Sequence, residues 1–317
     1  QFGDVNITSR SGDINVDVAM QGKHSSTGSG QEWVSALEIS NGTTSLNAEQ
    51  GNVNLSVNAN GENIAVVHYN GATAFPAGQF EYIPDAAVAA SSSITGKNIN
   101  LSGTVGADGS SAINHIIGIN ATHTHKKETF VISADERFTL NVTAVDNGGA
   151  TSAIGIFAGY ALYTDGYGGY YYNNQPSYAL ALGAKEAEIS ARVEAGAFSS
   201  TTGSRSVGIE ADGHNLIVFS DAEENRENTT SLGYGQSVNN EYAPTGHLTV
   251  SAEGAWLNTG ILAHNSGGSL YGSSPSVIDI RADSLTVKAT GNPEAGSMSS
   301  STGIAAVEQS SVHIVSN

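Results

Sequence analysis

The chain contains no cysteine, which excludes disulfide staples, CxxC redox chemistry and thiolate metal sites. Proline is scarce, at 6 in 317 residues, and charged residues make up only 13%. Cations are scarcer still: 12 Lys and Arg stand against 30 Asp and Glu, a formal net charge of −18. Such a chain repels a phosphate backbone, so nucleic acid is not expected as a partner. No apolar run approaches the length of a membrane span, and "AAVAA" at 86–90 is among the most apolar stretches. The opening residues, "QFGDVNITSR", carry no secretion signal.

What the chain does hold is glycine, 38 of them, with Ser, Thr, Asn and Ala filling much of the rest. Its hydrophobic content of 39% is too high for a disordered chain, and the apolar residues are patterned. This composition suits a turn-rich β architecture with small side chains.

The pattern is a recurring phrase. "STGIAAVEQSSVHI" at 301–314 resembles "SVGIEADGHNLIVF" at 206–219, "NTGILAHN" at 258–265 and "AIGIFAG" at 153–159. Upstream of the phrases stand "LTVKA" at 285–289, "LTVSA" at 248–252, "ARVEA" at 191–195, "LNVTA" at 140–144 and "LSVNA" at 55–59. Apolar-x-Val-x-Ala has a period of two, the mark of a strand with one face buried. "INLSGTV" at 99–105 breaks it, with Gly103 where Val is expected. A third alternating segment follows each phrase, as in "SVHIV" 311–315 and "SVIDI" 276–280, and a short polar corner such as "RADS" 281–284 closes the unit.

One unit is therefore strand, loop, Gly-Ile strand, turn, strand, corner. Gly118, Gly155, Gly208, Gly260 and Gly303 mark successive units, and Ala36 and Ala65 are expected to hold that place in two earlier ones. Constant strands with variable loops are a solenoid signature, and three strands per unit describe a parallel β-helix of about seven coils. The fold class expected is all-β, a right-handed parallel β-helix, in one segment over 1–317. Val142, Val193, Val250 and Val287 should form one internal ladder, and Ile156, Ile209, Ile261 and Ile304 another. The glycine before Ile should admit a close coil-to-coil approach that a Cβ would obstruct. The repeat runs from one end to the other without a polar cap, so a slice of a longer solenoid is expected, with Val312 and Ile314 exposed.

The "GIxA" and "LTVxA" repeats, the Gly/Ser/Thr/Asn richness, the absent cysteine and the acidic charge resemble the passenger region of bacterial type V autotransporters. The resemblance covers essentially the whole chain. It implies a β-helix secreted to the outside of a Gram-negative cell, with an adhesin's part in cell adhesion and virulence. It also implies an outer-membrane connection only through a C-terminal barrel, which this sequence does not contain. Filamentous-haemagglutinin-type exoproteins and phage tailspikes share the architecture.

Catalytic signatures are sparse. The GDSGS protease motif and a GxSxG elbow are missing. A pectin-lyase-like enzyme needs clustered acids on neighbouring coils, whereas the candidates Asp165, Asp212, Asp279 and Asp283 fall in different parts of the unit. His123 and His125 could share one side of a strand but lack a third ligand. No metal, cofactor or enzymatic activity is expected.

Two insertions carry the binding expectation. The one near 160–178 holds Tyr160, Tyr163, Tyr167, Tyr170, Tyr171, Tyr172 and Tyr178, and the one near 220–246 holds Tyr234 and Tyr242. Tyrosine among Gly, Ser and Asn supplies rigid amphipathic contact area, and solenoid insertions map to outer faces. Tyr160 and Tyr178, at the loop base, are expected to pack. Tyr163, Tyr167, Tyr170, Tyr171, Tyr172, Tyr234 and Tyr242 are the expected ligand contacts. The expected function is a cell-surface adhesin segment whose loops bind a host glycan, a host protein or another copy of the chain. A polysaccharide-degrading β-helix enzyme and a passive spacer are the alternatives.

Overall fold

Alternation of apolar and polar residues over five to seven positions makes strands here, and short corners make them stack in parallel. A computed structural model describes residues 4–24, 33–40, 43–70, 92–109, 113–123, 130–160, 178–196, 203–212, 215–218, 246–264, 276–292, 299–308 and 310–316. All regular structure among them is β, and no helix is long and apolar enough to cross a membrane.

Each coil has three strand positions. The first is held by β1 (Val5–Ser9), the leading parts of β4 (Thr44–Ala59), β6 (Ser93–Val105) and β8 (Phe130–Asp146), then β10 (Tyr178–Gly183), β13 (Asn215–Val218), β16 (Val277–Ala282) and β19 (Ser311–Ser316). The second is held by β2 (Ile14–Ala19), the trailing parts of β4, β6 and β8, then β11 (Glu186–Ala195), β14 (His247–Glu253) and β17 (Ser284–Thr290). These two positions form one 12-stranded sheet. The third position is a separate 7-stranded sheet: β3 (Val34–Ser40), β5 (Ile64–Asn70), β7 (Asn114–His123), β9 (Thr151–Tyr160), β12 (Ser204–Asp212), β15 (Leu257–His264) and β18 (Ser300–Ala306). Every strand pairing among the described residues is parallel, which makes the chain a parallel β-solenoid. In β4, β6 and β8 the strand pairing continues through the polar corner. The corner is marked by the exposed Glu49 and Gln50, Lys97, and Asp135 to Arg137, and by register shifts between Ala48 and Asn52 and between Gly96 and Asn98.

Register turns the sequence pattern into ladders. Ile7, Leu46, Ile94, Ile132, Leu182, Val218, Ile280 and Ile314 stand in one line on successive coils. Each such side chain, once buried, contributes roughly 1.5–3 kcal/mol. The Gly-Ile phrase also aligns as its repetition implies: Leu37, Val67, Ile119, Ile156, Ile209, Ile261 and Ile304 are in register. Ile156, Ile209 and Ile261 are fully buried, whereas Ile304, on β18, is 43% exposed. Ile314 is 40% exposed and Val312 half-buried.

The valine ladder is different from the one expected. Val250 does stand against Val287, but their line continues through Ile189 to Leu140. Val142 pairs with Ala191, and Val193 pairs with Ala144. Val142, Val193 and Val250 are nevertheless buried. The displacements are even numbers of residues, and with a side-chain period of two an even slip keeps the same face inward.

The glycine column is one of contact. The first two places are held by Ala36 and by Val66, not Ala65, since Ser35 and Leu37 pair with Ala65 and Val67. A Cβ on Gly118, Gly155, Gly208 or Gly260 would meet the glycine carbonyl oxygen of the next coil at 2.4–2.7 Å. It would also strike the side chain of Leu140, Ile189, Val250 or Val287 respectively, all from the facing sheet. Gly103 is the reciprocal case. It stands in line between Val57 and Val142, and the space a valine would fill there is taken by Ile116 and Val66. Where the glycine column carries Val66 in coil two, the valine column gives way one coil further on, at Gly103.

At Gly208 the strand bends and its pairing is interrupted without loss of register. Gly208 and Ile209 both face the interior, so outward positions change parity across the bend. The outer face of this sheet is itself buried in its middle coils: Ala65, Ile154 and Val207 are covered, as are His68, Asn120 and Glu210.

Candidate functional site

The third-position strands end along one edge, from which the chain crosses to the first position of the next coil. The crossings alternate in length. Coils two, four and six use residues 71–92, 161–177 and 265–276, while coils one, three, five and seven use 41–43, 124–129, 213–214 and 307–310. Successive coils are only about 4.8 Å apart, one strand's width. Aromatic residues follow the long crossings: Phe75, Phe80 and Tyr82 in the first, the tyrosine cluster in the second, Tyr271 in the third. The short crossings contain none. Residues 219–246, with Tyr234 and Tyr242, instead join the first position to the second. Two of these insertions, near 160–178 and 220–246, stand out in the sequence by their tyrosines; 71–92 and 265–276 were not expected, although Phe75, Phe80 and Tyr82 mark the former.

Tyr163, Tyr167, Tyr170, Tyr171, Tyr172, Tyr234 and Tyr242 lie outside the described residues. So do Asp165, His125 and the side chains of His123, Tyr160 and Tyr178. The backbones of Tyr160 and Tyr178 end β9 and begin β10.

The same edge carries a charged cluster. Glu210, the x of a GIxA phrase, points outward from β12 yet is only 2% exposed. Its Oε1 accepts a hydrogen bond from Arg205 Nη2 at 2.5 Å and lies 2.8 Å from His264 Nε2 on β15. Arg205 and Glu210 are five residues apart, an odd number that would put them on opposite faces of a regular strand. The parity change at Gly208 brings them to one side. Asp212, two residues beyond Glu210, stands beside His264 in register, with Oδ1 3.9 Å from Nδ1. Glu210 Oε2 has no hydrogen-bond partner among the described residues.

Burial by itself would raise the Glu210 pKa, but the His264 hydrogen bond and the Arg205 charge outweigh it and hold the carboxyl below its ordinary value. The same hydrogen bond raises His264, against its partial burial and with help from Asp212. A carboxylate kept charged by the Arg205 guanidinium and the His264 hydrogen bond is an anchor rather than a proton donor.

Two coils from β9 toward β1, the outer face is built differently. His68 stacks on Trp33, with ring centroids 4.4 Å apart and 13° between planes, and its Nδ1 is 3.1 Å from Asn120 Nδ2. Burial pushes the His68 pKa down to about 4, so the ring is neutral.

Of the acids singled out in the sequence, Asp212 joins this cluster. Asp279, on β16, is buried, with Oδ1 3.0 Å from His313 Nδ1, and Asp283 is exposed in the corner between β16 and β17. The structure does not bring these three together. Glu210, the most buried acid of the cluster, was missed because nothing local distinguishes it from any outward residue of the phrase. Among the described residues no group of three or more His, Asp or Glu side chains is placed to hold a metal ion. The chain matches no family model, no curated protein and no solved structure.

Proposed function

We propose that this chain is a rigid binding scaffold of the adhesin kind: a β-solenoid segment displayed outside a bacterial cell, without catalytic activity, that presents insertions to a partner. The observation that carries the reading is the edge on which long, aromatic-bearing insertions alternate with short crossings. A solenoid places successive features on a fixed axial repeat, and insertions two coils apart recur every ~9.6 Å along it. That arrangement suits an extended partner with repeated contact points, such as a host glycan or a polypeptide on a host surface. Tyrosine and phenylalanine supply stacking area for either. The acidic charge of −18 favours neutral or basic partners. The passenger region of an autotransporter would put such an edge where it is needed, at the cell surface, with the membrane connection made by a separate barrel.

The test is to replace residues 164–176 by a short Gly-Ser turn and to screen parent and trimmed protein against glycan and extracellular-matrix arrays and host cells. The expected outcome is an unchanged thermal transition with attachment weakened at least severalfold. Equal binding by the trimmed protein would remove the role assigned to Tyr167, Tyr170, Tyr171 and Tyr172.

A further inference from the structure

The insertion on coil six has a defined neck. Residues 265–275 depart from His264 and return at Ser276, and these two residues are joined directly: Ser276 Oγ donates to the His264 carbonyl oxygen at 2.6 Å. The His264 ring is fixed from the other side by Glu210, whose carboxylate is almost wholly buried and whose Oε1 it shares with Arg205. One residue thus ties the neck by its backbone and the solenoid wall by its side chain.

We infer that His264 is a proton-controlled anchor for the neck of this insertion. With the ring protonated, a charged N–H donates to a buried carboxylate, so an ion pair in a poorly solvated place adds to the hydrogen bond. With the ring neutral, an uncharged N–H still donates to the carboxylate but the ion pair is lost, and among the described residues Glu210 keeps Arg205 as its cationic partner. The charged groups that face the ring from β12 are Arg205, Glu210 and Asp212. From the opposite side β18 brings Ala305 and Ala306, then Val307, whose N–H bonds to Ala263, with Glu308 next along the chain. On the far side of β12, β9 places Phe157 and Gly159 at this height. The His264 pKa is raised above 6.5. The anchor is therefore fully present below pH 6.5 and is lost as pH rises through the raised value.

What the neck serves rests on the binding role proposed above, but the test needs no ligand, so the two readings fail separately. Hydrogen exchange, corrected for intrinsic rate, would be followed in peptides covering 257–264 and 276–282 from pH 5.5 to 8.5, with 140–146 as the control. Protection at the neck is expected to fall about tenfold across that range while the control stays level. The His264 ring, followed by NMR, is expected to titrate above 6.5. His264→Gln, which keeps a donor but cannot titrate, should flatten the profile, and His264→Ala should loosen the neck at every pH. A ring midpoint at or below 6.5, level protection in the parent, or an unaltered slope in His264→Gln each overturns the inference.

Discussion

Gly208 lies directly against Val250: a Cβ placed on Gly208 would come within 2.3 Å of Val250 Cγ1 and within 2.7 Å of the Gly260 carbonyl oxygen. The contact ties the two sheets together at the bend of the third-position strand. Its backbone conformation is not the left-handed one, so the requirement for glycine here is steric alone.

Gly208→Ala should cost roughly 1–3 kcal/mol, because the obstructing atoms include a neighbouring backbone that cannot rotate away. Gly303→Ala is the matched control, since a Cβ there meets nothing within 4 Å. Urea unfolding of both variants separates them; equal midpoints would show that the column is not close-packed.

Gly103→Ala would press on Ile116 Cδ1 at 2.5 Å and on Val66 Cγ2 at 3.0 Å. Ile116→Val removes the nearer atom. The double variant should recover part of what Gly103→Ala loses, a coupling of about 0.5–2 kcal/mol in a double-mutant cycle. Strict additivity would mean that the volume exchange between Val66 and Gly103 is not what sets the packing.

Val250→Asp should be among the most damaging single changes. Val250 is fully buried between Ile189 and Val287, so the carboxylate would have no water and no cation, at a cost of several kcal/mol. Its midpoint in urea should drop far below that of Val250→Ala; an equal drop for the two would contradict the inward ladder.

Asn258 is fully buried and holds the turn before β15: its Nδ2 donates to Ala255 O at 2.8 Å, and its Oδ1 accepts from Ala255 N at 2.9 Å and Ser206 Oγ at 2.8 Å. Asn258→Ala strands these groups away from water and should cost about 2–4 kcal/mol. The same turn should lose hydrogen-exchange protection, and retention of full protection there would refute the capping role.

Acid should weaken the solenoid through His68. Its folded pKa, about 4, lies below the unfolded value of 6.5, so the unfolded chain takes up the proton first. The stability is fully present above pH 6.5 and is lost as pH falls toward 4, by roughly 3 kcal/mol in all. His115, also lowered by burial, adds in the same direction. His68→Gln should show a shallower decline of urea midpoint between pH 6.5 and 4.5, and a decline as steep as the parent's would exonerate His68.

The sequence by itself determined the strand-forming alternation, the three-strand unit and the alignment of the Gly-Ile phrases. It could do so because a period of two and a recurring glycine are local signals. The phrase from Ile156 to Ile304 is in register since its glycine marks one fixed bend per coil. The valine ladder was not legible, because a slip of two residues leaves the inward face unchanged and only the pairing of β8 with β11 and β14 selects among the alternatives. The two tyrosine insertions stood out by composition, but that 161–177 leaves the same edge as 71–92 and 265–276, and 219–246 does not, emerges only when the strand ends are assigned. The Arg205–Glu210–His264 cluster was the least visible. It depends on a parity change at Gly208 and on a strand 52 residues further along, His264 coming to Glu210 across 54 positions of sequence. Burial of an outward glutamate is a property of what folds over it, and that no stretch of neighbouring residues encodes.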